Sequence, residues 1–208
     1  MKIGIVGFQG DVEEHIEMLE KISIKRGRGI DVIRIRKRDD LDGVSGIIIP
    51  GGESTTIFKL IQEYGIYDEI RRMVKEGKVP LMGTCAGIII ASRNTNDPRV
   101  KGMDLIDIEI ERNGYGRQAE SFIQEIDING IGKYTAVFIR APVIENSGSA
   151  EIMGKVRDKP VIVREENVLG LTFHPELTDD TRIHEYFIKM IEREGSISSG
   201  ASAVGVMA

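Results

Sequence analysis

The sequence contains no tryptophan and only one cysteine among its 208 residues. A single thiol cannot close a disulfide within the chain, so the cytoplasm is the expected location. No apolar run approaches the roughly 20 residues that cross a membrane, and the apolar N-terminal stretch meets Gln9 and Asp11 too early for a signal peptide. Aromatic residues make up 5% of the chain, so the core must be mainly aliphatic.

Neither positive nor negative charge dominates the chain. It has 28 Lys and Arg against 33 Asp and Glu, a formal net charge of -5 at pH 7. This balance argues against a general nucleic-acid-binding protein. The exception is the stretch from Lys21 to Arg38, where eight basic residues accompany one acid, Asp31. We interpret it as a solvated surface, with a partner-docking or anion-binding patch as the alternative.

Length and composition predict one globular domain. The chain is 41% hydrophobic and 29% charged, which is typical of folded proteins, and at roughly 150 residues per domain it could hold one large domain or two small ones. Because there is no internal repeat and no interdomain linker, we predict a single domain over residues 1–194. Residues 195–208 are rich in Gly, Ser and Ala without periodicity, so we predict a flexible tail there.

The first half of the sequence alternates short apolar runs with helical patterns. Buried strands are predicted at Ile3–Gly7, Asp31–Arg36, Ile47–Ile49 and Val79–Met82. Apolar residues at helical spacing follow the first, third and fourth of these runs. This order predicts an α/β fold with a mostly parallel central sheet and helices on both faces.

The second half is dominated by strand patterns separated by Gly, Pro and Asn. Strands are predicted at Leu105–Glu111, Ser121–Ile128, Thr135–Ile139, Glu151–Val156, Val161–Arg164 and Leu169–Phe173. We expect them to extend the sheet and to add antiparallel strands. An amphipathic pattern predicts a last helix over Asp179–Glu194.

The lone cysteine lies in a turn with a recognisable chemistry. Gly83-Thr84-Cys85-Ala86-Gly87 joins a predicted strand to a predicted helix, as the Gly-x-Ser-x-Gly nucleophile elbow does. Such a sharp turn needs small neighbours, which the two glycines supply. The helix N-terminus favours a thiolate, and its N–H groups can stabilise an oxyanion. A buried structural cysteine is the alternative.

A thiolate nucleophile needs a base, and the chain has three histidines. His174 ends an apolar strand, so it projects from the same edge of the sheet as Cys85. Glu176 lies two residues further in an extended segment and can reach the same imidazole. Cys85, His174 and Glu176 therefore form a candidate triad.

Three other interpretations of the histidines stay open. His174 and Glu176 could be an edge histidine with a chance carboxylate. They could also bind a metal, although no further His or Cys ligand accompanies them, and we predict no metal site. His15 and His184 fall in amphipathic helices, where we expect them to be surface residues.

A glycine loop is the third chemical feature. Pro50-Gly51-Gly52-Glu53-Ser54-Thr55-Thr56 follows a strand and precedes a helix, so it lies at the same edge of the sheet, and its glycines allow close backbone approach to a ligand. No Lys follows the glycines, so this is not a Walker-type phosphate loop. Gly4, Gly7 and Gly10 lack the dinucleotide spacing, so we expect no nucleotide cofactor.

Together these motifs resemble those of the class I, triad-type glutamine amidotransferases. More narrowly, the chain from about residue 2 to 193 is similar to the glutaminase subunit of two-component pyridoxal 5′-phosphate synthase. The matching segments are Phe8-Gln9-Gly10, Gly51–Thr56, Glu111-Arg112-Asn113, Gly116-Arg117-Gln118, Phe138-Ile139-Arg140-Ala141-Pro142 and Phe173–Thr178. The elbow alone is specific only to the superfamily; the glycine loop together with Phe-Ile-Arg-Ala-Pro is far more specific.

The resemblance implies a flavodoxin-like fold and a role for each matched residue. Cys85 would be the nucleophile, His174 the acid and base, and Glu176 the carboxylate that orients it. The backbone of Gly52 and Ala86 would form the oxyanion hole. L-Glutamine would be held by Gly52, Glu53, Ser54, Arg112, Ile139 and Arg140. Which ligand group each arginine contacts stays open, and either could instead form a structural salt bridge.

The resemblance also implies a partner and a reaction. Cys85 would hydrolyse L-glutamine to glutamate and ammonia for a barrel-fold synthase subunit that makes pyridoxal 5′-phosphate, and this chain itself would need no cofactor. The segment Gln9-Gly10 would respond to that partner. The alternatives are a glutaminase of another pathway, a Cys-His hydrolase on a similar sheet, and a regulatory subunit with an inactive pocket.

Overall fold

The computed structural model describes residues 1–77, 79–112, 114 and 121–203, with side chains described as far as residue 196. Within these residues no helix is long and apolar enough to cross a membrane. The segment Gly116-Arg117-Gln118, which contributes to the family resemblance, lies outside the described residues.

A seven-stranded sheet forms the centre of the molecule. Its strands are β1 Lys2–Val6, β2 Asp31–Ile35, β3 Gly46–Ile49, β4 Leu81–Thr84, β10 Glu151–Val156, β11 Lys159–Glu165 and β12 Val168–Leu171. They follow the order β10-β11-β12-β4-β3-β1-β2, in which five strands run parallel and β10 and β11 continue the sheet antiparallel beyond β12. The predicted mostly parallel sheet with added antiparallel strands is confirmed.

Within the part of the chain that the structure describes, five α-helices cover the two faces of this sheet. They are α1 Val12–Arg26, α2 Ser54–Glu63, α3 Tyr67–Lys75, α4 Ala86–Ala91 and α5 Arg182–Ala203. α1 and α5 contribute to one aliphatic core and α2, α3 and α4 to the other. In β3, Ile47 and Ile49 enter one core and Ile48 the other, because successive side chains of a strand point to opposite faces.

Two smaller sheets flank the central one. β5 Ser92–Asn94, β6 Ile106–Glu111 and β9 Val143–Asn146 form a three-stranded sheet beside the core of α2–α4. β7 Ser121–Ile128 and β8 Gly132–Ile139 form an antiparallel hairpin on the face of α1 and α5. The sequence patterns do not predict β5 and β9. Both are short, and β5 follows the predicted helix without a break.

The C-terminal helix differs from its prediction at both ends. It begins at Arg182 instead of Asp179 and continues to Ala203, so residues 195–203 of the predicted tail are helical. Gly195 lies within the helix, which shows that the small residues there do not end it. Residues 204–208 lie outside the described part, and the predicted mobility of the tail stays a prediction.

The basic stretch pairs with acids on the protein surface. Lys25 contacts Glu185 at 2.9 Å and Arg26 contacts Glu192 at 3.0 Å, which joins exposed parts of α1 and α5. Arg34 contacts Glu13 at 2.6 Å. These contacts favour the surface interpretation over a patch with free positive charge.

Candidate active site

Cys85 occupies a strained turn between β4 and α4. Its φ of 47° and ψ of -98° lie in a region that residues other than glycine seldom adopt. A Cβ on Gly83 would lie 2.7 Å from the backbone carbon of Gly87, and one on Gly87 would lie 2.0 Å from the Ile49 oxygen. The predicted need for small residues on both sides of the cysteine is therefore confirmed.

The elbow is also tied to the neighbouring strand and to the β7–β8 hairpin. The Cys85 N–H donates to the Leu171 carbonyl of β12 at 2.9 Å. The thiol itself is nearly buried, with 7% exposed, and its sulfur lies 3.9 Å from the Ile139 carbonyl at the end of β8. The sulfur is thus held at the carboxyl edge of the parallel sheet.

His174 follows β12 at the same edge. Its N–H donates to the Val137 carbonyl of β8 at 2.9 Å. A short 3-10 helix, Pro175–Leu177, begins immediately after it, so the expectation that Glu176 lies in an extended segment was wrong, although its carboxylate still reaches the imidazole. His174 Nδ1 lies 2.8 Å from Glu176 Oε1. The other ring nitrogen, Nε2, has no hydrogen-bond partner among the described residues, and His174 and Cys85 border one pocket.

The charges around His174 favour its protonated form. Burial lowers its pKa, but interactions with Asp11, Cys85 and Glu176 outweigh burial and raise the pKa well above its ordinary value. Burial raises the pKa of Glu176, and its contact with His174 acts in the opposite direction. A protonated imidazole beside the sulfur stabilises a thiolate.

Asp11 is a site residue that the sequence analysis missed. Its Oδ2 lies 3.1 Å from His174 Nδ1, the nitrogen that also meets Glu176. The hydrogen bond with His174 lowers the pKa of Asp11. Its place directly before α1, at the carboxyl edge of β1, was the available signal. Asp11, His174 and Glu176 bring three ligand atoms within 4.8 Å of one another, but those atoms already contact each other as a carboxylate–imidazole group.

The expectation that His15 and His184 are surface residues was wrong. Both are fully buried, and His15 Nδ1 lies 2.9 Å from His184 Nε2. His15 Nε2 is 3.2 Å from Thr84 Oγ1 and 3.5 Å from Glu176 Oε2. The helical pattern places both residues on inward faces, where each imidazole finds a polar partner.

The glycine loop closes the opposite side of the pocket. A Cβ on Gly51 would lie 2.5 Å from His174 Cε1, so the absence of a side chain lets the imidazole approach. Gly52 has a φ of +142°, which favours glycine. The Glu53 N–H donates to Gln9 Oε1 at 2.9 Å, and Gly10 packs against the Gly51 carbonyl. Gln9-Gly10 therefore rests directly on the loop predicted to supply an oxyanion donor.

Glu53, Asp97 and Arg112 form a charged group that we name the Arg112 cluster. Arg112 contacts Glu53 through Nη2, and its Nη1 lies 3.1 Å from Asp97 Oδ2. Glu53 also accepts hydrogen bonds from Thr55 and Thr56 at the start of α2. Burial works to raise the pKa of Glu53, but these hydrogen bonds and the Arg112 charge lower it to about 2. Asp97 was not predicted from the sequence.

These elements enclose a pocket of about 270 Å³. Every predicted oxyanion-hole, glutamine-binding and partner-responsive residue borders it, as do Cys85 and His174, while Glu176 lies behind the imidazole. Ser54 is buried and its Oγ has no hydrogen-bond partner among the described residues. The pocket is bordered by Gln9, Gly10, Asp11, Gly52, Glu53, Ser54, Cys85, Ala86, Ile89, Arg112, Ile139, Arg140 and His174.

A cysteine elbow on a parallel sheet, beside an imidazole backed by a carboxylate, defines the class of thiol-dependent hydrolases with an α/β fold. Comparison with known proteins narrows this class. The chain belongs to the SNO glutamine amidotransferase family, whose model matches residues 5–193.

Curated relatives and solved structures agree with this family. The chain is 56% identical to "Pyridoxal 5'-phosphate synthase subunit PdxT" of Thermoplasma acidophilum, over 97% of this chain and 98% of the relative. It is 60% identical to the protein of the same name from Thermoplasma volcanium, over 91% and 94%. A structure titled "Crystal structure of glutamine amidotransferase" matches with a TM-score of 0.85 and 42% identity, over 91% of this chain and 98% of that one.

Proposed function

We propose that this chain hydrolyses L-glutamine to L-glutamate and ammonia, as the glutaminase subunit of a pyridoxal 5′-phosphate synthase. Its membership of the glutamine amidotransferase family and its likeness over nearly the whole chain to synthase subunits support this function. The observation that carries the chemistry is the strained Cys85 beside the buried His174–Glu176 pair.

The first half of the reaction forms a thioester. The Cys85 thiolate attacks the side-chain carbonyl carbon of glutamine, and the C=O electron pair moves to oxygen. When this tetrahedral intermediate collapses, the C–N bond breaks and the His174 imidazolium donates its Nε2 proton to the leaving nitrogen. Ammonia departs, leaving a glutamyl thioester and a neutral imidazole.

The second half releases glutamate. The neutral His174 accepts a proton from water as the water oxygen attacks the thioester carbonyl. Collapse of the second intermediate breaks the C–S bond and returns the thiolate beside the imidazolium. The new acid loses its proton to solvent, so the balance is glutamine plus water giving glutamate and ammonia.

The backbone N–H groups of Gly52 and Ala86 are the proposed oxyanion donors in both halves. Ala86 is the first residue of α4, and Gly52 faces the same pocket from the glycine loop. Loss of one such donor typically costs about 2.7–4 kcal/mol of transition-state stabilisation. Because Gln9-Gly10 packs on this loop, a partner that contacts Gln9-Gly10 can act on the donor geometry.

The remaining pocket residues suit the polar end of free glutamine. Its α-carboxylate needs a cation, which Arg112 or Arg140 can supply through paired charged hydrogen bonds, and its α-ammonium needs acceptors such as the Glu53 carboxylate or the Ile139 carbonyl. The unpartnered Ser54 Oγ provides a further hydrogen bond. We place these contacts with Gly52, Glu53, Ser54, Arg112, Ile139 and Arg140.

A dedicated partner follows from the chemistry of the product. Ammonia released into bulk water is protonated and loses its nucleophilicity, so direct transfer to a synthase subunit is favoured. We propose the barrel-fold synthase subunit as this partner and the cytoplasm as the location, with no cofactor bound by this chain.

The test measures ammonia release from glutamine with and without the matching synthase subunit. We expect weak hydrolysis by the chain alone, faster hydrolysis with the partner, and a loss of at least about 10⁴-fold in Cys85→Ala with docking retained. Because the chain has one cysteine, an alkylating glutamine analogue should add one label, seen by mass spectrometry, and none to Cys85→Ala. Full activity in Cys85→Ala would refute the mechanism, and equal turnover with and without the synthase would refute activation by the partner.

A further inference from the structure

Two further histidines, His15 and His184, form a buried pair next to His174 and Glu176. His15 belongs to the inward face of α1, which otherwise buries the apolar residues Val12, Met18, Leu19 and Ile22. His184 enters the same space from α5 and is likewise fully buried. An imidazole in such a position lowers stability unless its ring nitrogens are hydrogen-bonded.

The contacts of His15 lead towards Glu176. Its Nε2 lies 3.2 Å from Thr84 Oγ1, the residue immediately before Cys85, and 3.5 Å from Glu176 Oε2. Glu176 Oε1 is occupied by His174, whereas Oε2 has no hydrogen-bond partner among the described residues. The His15 ring therefore offers a donor position to the carboxylate oxygen that His174 leaves uncovered.

The tautomer of the pair follows from these neighbours. The two rings share one proton between His15 Nδ1 and His184 Nε2, which lie 2.9 Å apart. If His15 carried it, its Nε2 lone pair would face the Glu176 carboxylate, and His184 Nδ1, which has no partner among the described residues, would be a buried unpaired N–H. With the proton on His184 Nε2, His184 Nδ1 carries no hydrogen, and His15 carries its own on Nε2, 3.2 Å from Thr84 Oγ1 and 3.5 Å from Glu176 Oε2.

We propose that His15 is a positioning residue for the triad: as a neutral imidazole fixed by His184, it donates its Nε2–H towards Glu176 Oε2 and keeps that carboxylate ionised and aimed at His174. This inference rests on the proposed glutaminase function and extends it to a residue that does not touch the substrate pocket. His15 and His184 are absent from the pocket lining.

The electrostatics of the pair agree with a neutral donor. Burial, then the charges of His184 and His174, lowers the pKa of His15 well below its ordinary value, and burial lowers the pKa of His184 to about 4. Both shifts favour the neutral form of the ring. A neutral N–H can stabilise the Glu176 carboxylate without competing with His174 for the role of imidazolium.

The expected consequence has a definite sign. A hydrogen bond to the ionised form lowers a carboxyl pKa, so removing the His15 donor raises the pKa of Glu176. The carboxylate then protonates at a higher pH. The acid limb of the pH–activity profile, where kcat falls as the pH falls, therefore moves to higher pH. The other titratable groups around Glu176 are His174, Asp11 and Tyr134, and none of them changes in this substitution.

The experiment compares His15→Met with His15→Gln in the complex with the synthase. The two side chains are similar in size, but only Gln retains an N–H donor at the end. We expect kcat to fall about 10- to 100-fold in His15→Met, by analogy with the loss seen when the hydrogen-bond partners behind metal-bound histidines are removed, with KM for glutamine unchanged. The acid limb of kcat should move up by about one pH unit. His15→Gln should retain most of the wild-type kcat, and its acid limb should stay at the wild-type pH.

Two further measurements separate this proposal from its alternatives. Leu19→Ala, on the same face of α1, should lower the melting temperature without moving the acid limb. The pH dependence of Cys85 alkylation by iodoacetamide reports the thiolate directly, so it tests the coupling to His15 even if the wild-type complex proves not to hydrolyse glutamine. An unchanged limb and kcat in folded His15→Met would overturn the proposal. If that variant does not fold, His184→Met should move the limb the same way by less, and no movement there would overturn it equally.

Discussion

The elbow around Cys85 and the Arg112 cluster both border one pocket, but different forces hold them. The elbow is fixed by backbone contacts: a Cβ on Gly87 would lie 2.0 Å from the Ile49 oxygen. The Arg112 cluster is held by charged side chains, with Arg112 placed between Glu53 and Asp97. The sulfur proposed to react is therefore held by tight backbone packing, whereas the proposed recognition groups are held by polar contacts that a charged ligand can exchange.

The largest effect should come from crowding the elbow. In Gly87→Ala the new methyl group would meet the Ile49 carbonyl, so the turn must shift. Overpacking of this kind costs about 1–3 kcal/mol of unfolding free energy, and a 1 Å displacement of a reacting group can cost about 100-fold in rate. We expect a loss of unfolding free energy, measured by urea denaturation, and a loss of kcat, measured by ammonia release.

Gly65→Ala is the matched control for the elbow. Gly65 has a positive φ of 67° but open space around its Cβ position. The substitution should cost about 1–2 kcal/mol through backbone strain and leave kcat unchanged. If Gly87→Ala kept wild-type kcat, the claim that packing fixes the sulfur would be wrong.

An intermediate effect should follow from opening the Arg112 cluster. Hydrogen bonds to charged groups contribute about 1.5–3 kcal/mol, so Arg112→Ala should raise KM for glutamine about 10- to 100-fold. Because Arg112 does not contact Cys85 or His174 in the structure, kcat should change little. Steady-state kinetics of the complex would separate the two constants.

Arg93→Ala provides the control for that substitution. Arg93 contacts Asp107 and Glu109 away from the pocket, so its removal should leave KM at the wild-type value. A fall in kcat with constant KM in Arg112→Ala would show that the cluster acts on the chemical step instead of on binding.

The smallest effect concerns stability at low pH. The folded-state pKa of Glu53 is lowered to about 2, below the ordinary Glu value of about 4.3. Its contribution to stability is therefore present above the ordinary value and is lost as pH falls towards 2. Since Glu53 is partly exposed, we expect Glu53→Gln to cost no more than about 1 kcal/mol near pH 7.

Denaturation of wild type and Glu53→Gln between pH 5 and pH 2 would follow this loss. The two unfolding free energies should converge as the pH falls. A difference that stays constant across this range would mean that the charge of Glu53 is not what stabilises the start of α2.

The sequence predicts the elbow far better than the polar contacts behind it. Gly83, Cys85 and Gly87 stand in one local motif whose geometry depends on residue size, so a strand–turn–helix pattern is enough to place them. His174 could be placed because the end of a parallel strand defines an edge, whereas Glu176 reaches it from a 3-10 helix instead of the predicted extended segment. Their assigned roles, and those of the glutamine-binding residues, remain proposals.

The contacts that the sequence missed are all long-range. Asp11 meets His174, Asp97 meets Arg112, and His15 meets both His184 and Glu176. The contacts of Asp11 and His15 depend on the order of strands in the central sheet and the register of the helices on it, whereas Asp97 and Arg112 lie on either side of β6 in the small three-stranded sheet. An amphipathic pattern shows that His15 lies on a helix face, but it cannot distinguish an exposed imidazole from one that has a buried partner.

The hydrogen bond from the Cys85 N–H to the Leu171 carbonyl has a consequence for the timing of folding. β12, which ends at Leu171, is the last strand of the central sheet in chain order, and it pairs with a strand about ninety residues earlier in the chain. Contacts of such wide sequence separation tend to slow folding, because a long loop must close before they are made. A ribosome-bound chain that has not yet released β12 lacks both the acceptor of this hydrogen bond and His174, so we expect no ammonia release from the nascent protein.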